Sequence, residues 1–384
     1  MPRLLVGPGG RLFADPQPGP DEQTFRTDNN SSSYYSSPYF LAHKDQVQPI
    51  PAPHHGVKLQ MLLEDYLPDE VIQAIKNTGK ISFHMAGDTG AAKTGRSQSA
   101  ATAIGHEAAV ADAMAADVQR SGENGPAFFF HLGDVVYSFG EEQYYYDQFY
   151  EPFRAYDRPI FAIAGNHDGM VYGTSLTNPK IPTLTAFLAN FCAQKAGPSP
   201  DSAGLVRSLM TQPGVYFTLD APFVSIIGLY SNVLDGPGVI SSQRRHFPIG
   251  DEQIAFLESE LRRLKPEREA GKRAVIVAVH HPPLSADARH GGSSGVDADL
   301  DEASKAAGLW PDAVISGHAH LYERFTRKLH SGQETPYVVC GAGGYAATAP
   351  QQKLSRVPIT FGDHTLEIAP IVEFGYLTVT CDAK

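Results

Sequence analysis

Cysteine is nearly absent from this chain of 384 residues, which has only Cys192, Cys340 and Cys381. Three thiols so widely scattered exclude a disulfide framework and a cysteine-held zinc site, and buried free thiols are the expected state. No apolar run approaches the roughly 20 residues of a membrane span, so no membrane partner is expected. Positive charge is also scarce: 31 Lys and Arg stand against 42 Asp and Glu, and a net charge of −11 argues against general nucleic-acid binding. Any anionic ligand must therefore be attracted by a local site. The opening Met1-Pro2-Arg3-Leu4-Leu5-Val6-Gly7 lacks the apolar core of a secretory signal, which makes the cytoplasm the expected location.

What the chain does have is 42% apolar residues and 10% aromatics, ample for a large core. Residues 1–56 carry repeated Pro and Gly, the polar run Asn29-Asn30-Ser31-Ser32-Ser33 and no sustained periodicity. They are expected to form a partly irregular N-terminal arm without catalytic residues, with His54 and His55 in a loop. Over residues 57–384 short apolar runs alternate with amphipathic segments, which predicts one layered α/β domain. Strands are expected at Ile81–Ala86, Ala127–Leu132, Ile160–Ala164, Val215–Leu219, Phe223–Leu229, Ala274–Val279, Ala313–Ser316, Tyr337–Cys340 and Tyr376–Thr380. Helices are expected at Leu67–Lys76, His106–Ser121, Glu141–Tyr156, Leu184–Lys195 and Asp251–Leu264. The last carries Ile254, Leu257, Leu261 and Leu264 on one stripe, which should pack on a sheet.

Open α/β sheets place ligands at the carboxyl ends of their strands, and five of these strands end in metal-ligand chemistry. They run into Gly87-Asp88-Thr89-Gly90, Gly133-Asp134-Val135-Val136-Tyr137, Gly165-Asn166-His167-Asp168, His280-His281-Pro282 and Gly317-His318-Ala319-His320. A glycine before a polar residue is commonly just a turn, so each segment alone says little. Together they supply two carboxylates, an amide oxygen and three imidazoles, a mixed shell suited to Zn, Mn or Fe. Six or seven ligands are too many for one tetrahedral ion and imply two ions that share a carboxylate.

The ordered series D-x-G, G-D-x-x-Y, G-N-H-D, V-x-x-H and G-H-x-H resembles the calcineurin-like metallophosphoesterases, especially their purple acid phosphatase branch, over about residues 80–345. The likeness extends to Gly317–Arg324 and to Tyr337–Gly344, which resemble the family's closing segment. It implies a β-sandwich of two mixed sheets flanked by helices, with a dinuclear site at the carboxyl ends of strands. It also implies one metal held by Asp88, Tyr137 and His320, a second by Asn166, His280 and His318, and Asp134 bridging the two. Where the wider superfamily commonly has a histidine, this chain has Gly90, and the purple branch takes a tyrosinate instead, so Gly90 and Tyr137 corroborate each other. The family's spacing to the following proline favours His280 over His281. His167 resembles the family's phosphate-binding or leaving-group histidine, with Asp168 orienting it, and His290 is a further candidate for the same work.

A phenol with an ordinary pKa of about 10 ionises beside a strong Lewis acid, so iron is the expected partner of Tyr137, with Fe, Zn or Mn as a divalent second ion. The implied reaction is hydrolysis of a small phosphorylated substrate by hydroxide generated at the metals, a phosphomonoester first and a phosphodiester as the alternative. Substrate choice is expected in the loops at about Gly169–Gly214 and Ser285–Ala303. Tyr322 and Arg324 fall beside the last metal motif, where they either support it or meet substrate. His84 and His131 lie inside apolar runs and are expected to be packed, as is the aromatic cluster Tyr144, Tyr145 and Tyr146, which otherwise walls the cleft.

Two readings of other classes compete. Gly90–Ser97 misses the P-loop pattern G-x-x-x-x-G-K-[ST] by one residue, with Arg96 in place of the phosphate-binding lysine. An NTPase would leave Asn166, His280 and His318 unexplained. A metal-bearing binding scaffold uses the same ligands without turnover and is separated from a hydrolase by mutating His167.

Overall fold

The computed structural model describes residues 6–7, 11–12, 49–91, 100–122, 125–137, 139–169, 183–202, 207–231, 238–242, 249–345 and 356–383. A hairpin pairs β1 (Val6–Gly7) with β2 (Arg11–Leu12). The strands that follow are β3 (Gln60–Leu62), β4 (Lys80–Ala86), β5 (Phe129–His131), β6 (Ile160–Ala162), β7 (Phe217–Ala221), β8 (Val224–Leu229) and β9 (Ala274–Val279). The last six are β10 (Ala313–Ser316), β11 (Tyr322–Lys328), β12 (Glu334–Cys340), β13 (Ile359–Phe361), β14 (His364–Leu366) and β15 (Leu377–Asp382). Helices are α1 (Asp69–Thr78), α2 (Ala100–Ser121), α3 (Asn166–Gly169), α4 (Thr185–Phe191), α5 (Glu252–Glu269) and α6 (Ser294–Ala307).

These elements form the two mixed sheets flanked by helices that the sequence implies. One sheet has nine strands in the order β13-β14-β11-β12-β10-β9-β8-β7-β3, and the other has four in the order β15-β4-β5-β6. In the small sheet β4, β5 and β6 run parallel, with β15 antiparallel on β4. In the large sheet β8, β9, β10 and β12 run parallel.

Successive side chains of a strand point to opposite faces, and that alternation builds the layers. Phe130 meets Phe217 of the large sheet at 6.0 Å between ring centroids. Gly228 lets the sheets close up, because a Cβ there would come within 2.8 Å of Ile163 and 3.3 Å of Phe130. The outer face of the small sheet is covered by helix and turn: Phe129 packs on Phe153, and His84 bonds Tyr156 and Asp117 of α2. On the large sheet α5 buries Phe256, Leu257, Leu261 and Leu264, while Ile254 of the expected stripe is only half-buried. Arg327 on β11 ties that strand to its neighbours, with both terminal nitrogens on Asp301 of α6 (2.6 and 2.8 Å) and Nε on Asp363 (2.9 Å).

Several expected elements change. Glu141–Tyr156 is not one α-helix: a 3₁₀ turn at Glu142–Tyr144 leads into a π-helical turn at Tyr146–Tyr150. Pro152 has no N–H to return to Gln148, so the regular ladder breaks there. The helix begun at Leu184 ends at Phe191, because Cys192 bridges to Thr211 and the Ala193 N–H turns to Met210. The presumed loop Ser285–Ala303 is half helix, since Ser293 caps α6 by accepting from the Val296 N–H. The helix expected from His106 starts at Ala100, and β3, β11, β13 and β14 are additional strands. Within the expected arm, His54 is fastened to the domain, its N–H on Pro213 O (2.8 Å) and its ring on Cys192 O (2.6 Å).

Candidate metal centre

Both sheets aim the carboxyl ends of their parallel strands at one place. From the small sheet, β4 leads to Asp88, β5 to Asp134 and Tyr137, and β6 to Asn166 at the start of α3. From the large sheet, β9 leads to His280, and β10 leads to His318 and His320. Oxygen donors thus come from one sheet and imidazoles from the other. All seven residues are at least nine-tenths buried.

The seven donors divide into two groups. Tyr137 Oη lies 3.0 Å from Asp88 Oδ1 and 3.4 Å from His320 Nε2, and that nitrogen is 3.4 Å from Asp88 Oδ1. Asn166 Oδ1 lies 3.2 Å from His280 Nε2 and 3.1 Å from His318 Nδ1. Asp134 Oδ2 joins them, 2.8 Å from Tyr137 Oη and 3.4 Å from His280 Nε2. Ligand atoms about 2.1 Å from one ion at a tetrahedral angle are roughly 3.4 Å apart, so these spacings fit shared ions. Donor atoms of Asp134, His280 and His318 all lie within 4.8 Å of one another.

The backbone is bent to achieve this. Asp88 (φ 58°), Asp134 (φ 56°) and His318 (φ 69°) hold positive φ, an unfavourable state for residues with a Cβ that clusters at functional sites. Neighbouring glycines make room: a Cβ on Gly165 would come 2.1 Å from Asp134 Oδ1, and one on Gly341 would come 2.7 Å from Asp88 Oδ2. Gly90 is informative in the same way. A Cβ at Gly90 would meet Val135 O at 2.6 Å and both Gln148 Oε1 and Tyr137 Cδ2 at 3.0 Å, so the backbone around Tyr137 leaves no room for a side chain there.

Charge in the cluster favours cation binding. Burial opposes ionisation of Asp134, yet His280 and His167 beside it hold its carboxyl below the usual carboxylate range. Burial would lower His280, but the Asp134 and Asp88 carboxylates outweigh it and lift its pKa to about 9. That imidazolium is the positive charge a metal ion would replace. His318 is pushed well down by burial and by the imidazoles of His281, His280, His290 and His320, so it stays neutral with a lone pair to give. Tyr137 is raised well above its ordinary value by burial and by Asp134 and Asp88, so without an ion the phenol keeps its proton and shares it between those carboxylates.

Supporting groups fix these donors. His280 Nδ1 donates to Leu132 O at 2.8 Å, which turns Nε2 towards Asn166 Oδ1 and Asp134 Oδ2. Gln148 accepts from the Tyr137 N–H (2.8 Å) and the Ala91 N–H (2.9 Å) and donates to Tyr137 O (2.9 Å). His131, expected to be packed, accepts from the Gly133 N–H and donates to Thr89 Oγ1, and burial lowers its pKa to about 3. His281 is instead turned to Ser231 Oγ at 2.7 Å.

Of the other candidates, His167 gives its backbone N–H to Asp134 Oδ1 (2.9 Å) and lays its ring 4.2 Å from that of Tyr137. His290 comes to the same site, its ring 4.6 Å from His318 and 5.1 Å from His320. Asp287 Oδ2 accepts its backbone N–H and lies 2.9 Å from its Nδ1 without hydrogen-bond alignment. Asp168, expected to orient His167, accepts with both oxygens from backbone instead: the N–H groups of Val135 (3.0 Å), Val136 (3.3 Å) and Gly165 (2.9 Å). It therefore clamps the loop that carries Asp134 to the one that carries Asn166. Burial and Asp134 raise its pKa to about 7. Tyr322 is half-buried on β11, Arg324 is exposed there, and Tyr145 is fully buried between half-buried Tyr144 and Tyr146. Arg96 and Ser97 of the P-loop reading, and part of the Gly169–Gly214 loop, lie outside the described residues.

Glu323 holds the segment that carries His290, its Oε1 accepting the Ala286 N–H at 3.0 Å. Burial raises its pKa from 4.5 to about 7. The folded state therefore prefers the protonated acid, whose contribution is complete below the unfolded value and is lost as pH rises through about 7. Glu323→Gln should match wild type at about pH 4 and exceed it at about pH 8.5, by up to about 3 kcal/mol or roughly 2–5 °C in melting temperature. Thermal melts at the two pH values check this, and an equal offset at both would contradict it.

A family profile, calcineurin-like phosphoesterase, matches residues 81–322, well over half of the chain. No curated protein matches significantly. Among solved structures, GAP50, the anchor in the inner membrane complex of Plasmodium, is similar at 15% identity and TM-score 0.50, over 78% of this chain and 81% of that one. PhoD aligns at 14% identity and TM-score 0.42 over 87% of this chain and 66% of that one. A dimetal phosphatase from Danio rerio aligns at 12% identity and TM-score 0.44, over 79% and 99% respectively. At such identities the GAP50 likeness speaks for the fold alone.

Proposed function

The chain belongs to the calcineurin-like phosphoesterases and is a phosphoric ester hydrolase; from that premise we propose that it hydrolyses small phosphomonoesters at a dinuclear centre. The observation that carries this is the division of seven buried donors into two groups joined by Asp134. Asp88, Tyr137 and His320 would hold one ion and Asn166, His280 and His318 the other, with Asp134 shared. When bound, two such ions supply Lewis acidity to phosphoryl oxygens and a nucleophile at neutral pH. Tyr137 favours iron at the first position, because only a strong Lewis acid ionises so reluctant a phenol, and Fe, Zn or Mn suits the second.

The chain's own groups do the rest. His167, half-buried above Tyr137, reaches the leaving-group side and donates a proton to the departing alkoxide. His290, held by Asp287, faces the two imidazoles of His318 and His320 from solvent and binds a phosphoryl oxygen. Among the described residues no helix is long and apolar enough to cross a membrane. The purple-type pairing of Gly90 with Tyr137 supports the monoester reading.

Metal-loaded protein assayed on p-nitrophenyl phosphate and bis-p-nitrophenyl phosphate decides the substrate class. We expect kcat/KM for the monoester to exceed that for the diester by about tenfold or more, a transition-state difference of roughly 1.4 kcal/mol. The reverse order makes the protein a phosphodiesterase. Metal binding with turnover of neither favours a binding scaffold.

A further inference from the structure

Beyond the seven donors, the centre contains a second phenol. Gly343 N–H bonds Gly87 O at 3.0 Å and Tyr345 N–H bonds Asp88 O at 3.0 Å, so the turn after β12 is laced to the loop that carries Asp88. Gly344 (φ 141°) packs against Glu107 of α2 so closely that a Cβ would come 2.5 Å from the Glu107 Cα. Those constraints lay the Tyr345 ring flat on that of Tyr137, with centroids 3.7 Å apart and planes 1° from parallel. The same ring takes His320 edge-on at 4.8 Å and 81°. Tyr345 is 94% buried, and among the described residues it and Tyr137 form an apolar pair apart from the main core.

Tyr345 thus touches two of the three side chains on the Asp88 side of the centre. On the other side different groups meet the imidazoles: Leu132 O holds His280, and the His318 ring lies 4.1 Å from that of His281 and 4.6 Å from that of His290. We propose that Tyr345 is a positioning residue whose flat face holds Tyr137 and His320 in aim at the first metal position, and that it governs affinity there and not at the second. The inference rests on the dinuclear reading above. Its physical basis is that a buried phenol whose ring is unsupported samples other rotamers, whereas a stacked neighbour restricts it to the one that points at the ion. Supporting groups of this kind typically change metal affinity by about ten- to a hundredfold.

The test is calorimetric titration of metal-free full-length protein with Zn(II), together with the visible spectrum after loading with Fe(III). Wild type should show two binding events and a tyrosinate band that Tyr137→Phe abolishes. Tyr345→Phe keeps the flat face and should retain both events and the band. Tyr345→Leu fills the volume without a flat face, and should weaken one event by about ten- to a hundredfold, spare the other, and shift or broaden the band. Tyr345→Ala should do the same more strongly, and Tyr345→Leu carries the test if the alanine variant fails to fold. Two unchanged events and an unchanged band in Tyr345→Leu, or loss in Tyr345→Phe equal to that in Tyr345→Leu, overturns the proposal. Wild type that binds no metal overturns the centre itself, and this inference with it.

Discussion

Asp134→Asn should lower kcat/KM for phosphate-ester hydrolysis by at least about a thousandfold and leave fewer than two metal ions per chain. The substitution keeps the side chain's shape and removes its charge. Asp134 Oδ2 is the donor that reaches both groups, 2.8 Å from Tyr137 Oη and 3.4 Å from His280 Nε2, so both ions lose a ligand at once. The loss of charge also removes the main attraction that lifts His280 to about 9. That histidine then ionises less readily, which separates the electrostatic effect from the steric one. Gly165→Ala should act in the same direction by a different route, since its Cβ would press on Asp134 Oδ1 from 2.1 Å. Elemental analysis and steady-state kinetics on the two variants check both effects. Two retained ions with near-wild-type rates in Asp134→Asn would remove the shared-ligand assignment.

The second large effect is expected in turnover alone. His167→Ala should reduce kcat by about a hundred- to ten-thousandfold, the usual contribution of a positioned general acid, while both metal ions stay bound. Retention of metal follows from the geometry, because the contact from residue 167 to Asp134 is made by its backbone N–H, which alanine keeps. The lost ring lies 4.2 Å from that of Tyr137 and 6.4 Å from that of Tyr345, and Tyr345 still stacks on Tyr137 without it. The defect should be smaller for p-nitrophenyl phosphate than for an alkyl phosphate, since a good leaving group needs less protonation. Equal defects on both esters would assign His167 to phosphate binding instead. Unchanged rates on both would leave it no part in the chemistry.

The convergence of these seven residues was legible because each motif follows a short apolar strand, and parallel strands bring their carboxyl ends together whatever lies between them in sequence. The division into two groups was legible only through family resemblance. No local signal gives the positive φ of Asp88, Asp134 and His318, which is imposed by loops packing on one another. Tyr345 was hidden for a similar reason: its partner is remote in sequence, and Gly341–Gly344 draws attention to the turn instead of the ring that follows it. For Asp168 the resemblance implied a role in orienting His167, and the tight turn also sends its carboxylate back to three backbone N–H groups, which no sequence pattern signals.

The fold shows the same limits. Strand β11 was missed because two of its inward positions hold Glu323 and Arg327, buried charges whose partners are supplied by other elements. Helix α6 lay inside a stretch read as loop from its Gly, Ser and Asp content, although Val296, Leu300, Ala303 and Ala307 recur at helical spacing and are buried. The segment at Glu141–Tyr156 went the other way: expected as a helix, it forms a 3₁₀ turn and a π-helical turn, with Pro152 lacking a donor and Gln148 held by Tyr137. In each case a partner remote in sequence or a missing backbone donor outweighed the local pattern.

The most direct measurement is metal stoichiometry coupled to activity: metal-free protein is titrated with Fe and Zn while bound metal and p-nitrophenyl phosphate hydrolysis are followed on one sample. Two ions should bind per chain, activity should rise until the second is bound, and chelation should abolish it. Failure to bind either ion, or hydrolysis that persists unchanged in their absence, would contradict the dinuclear reading.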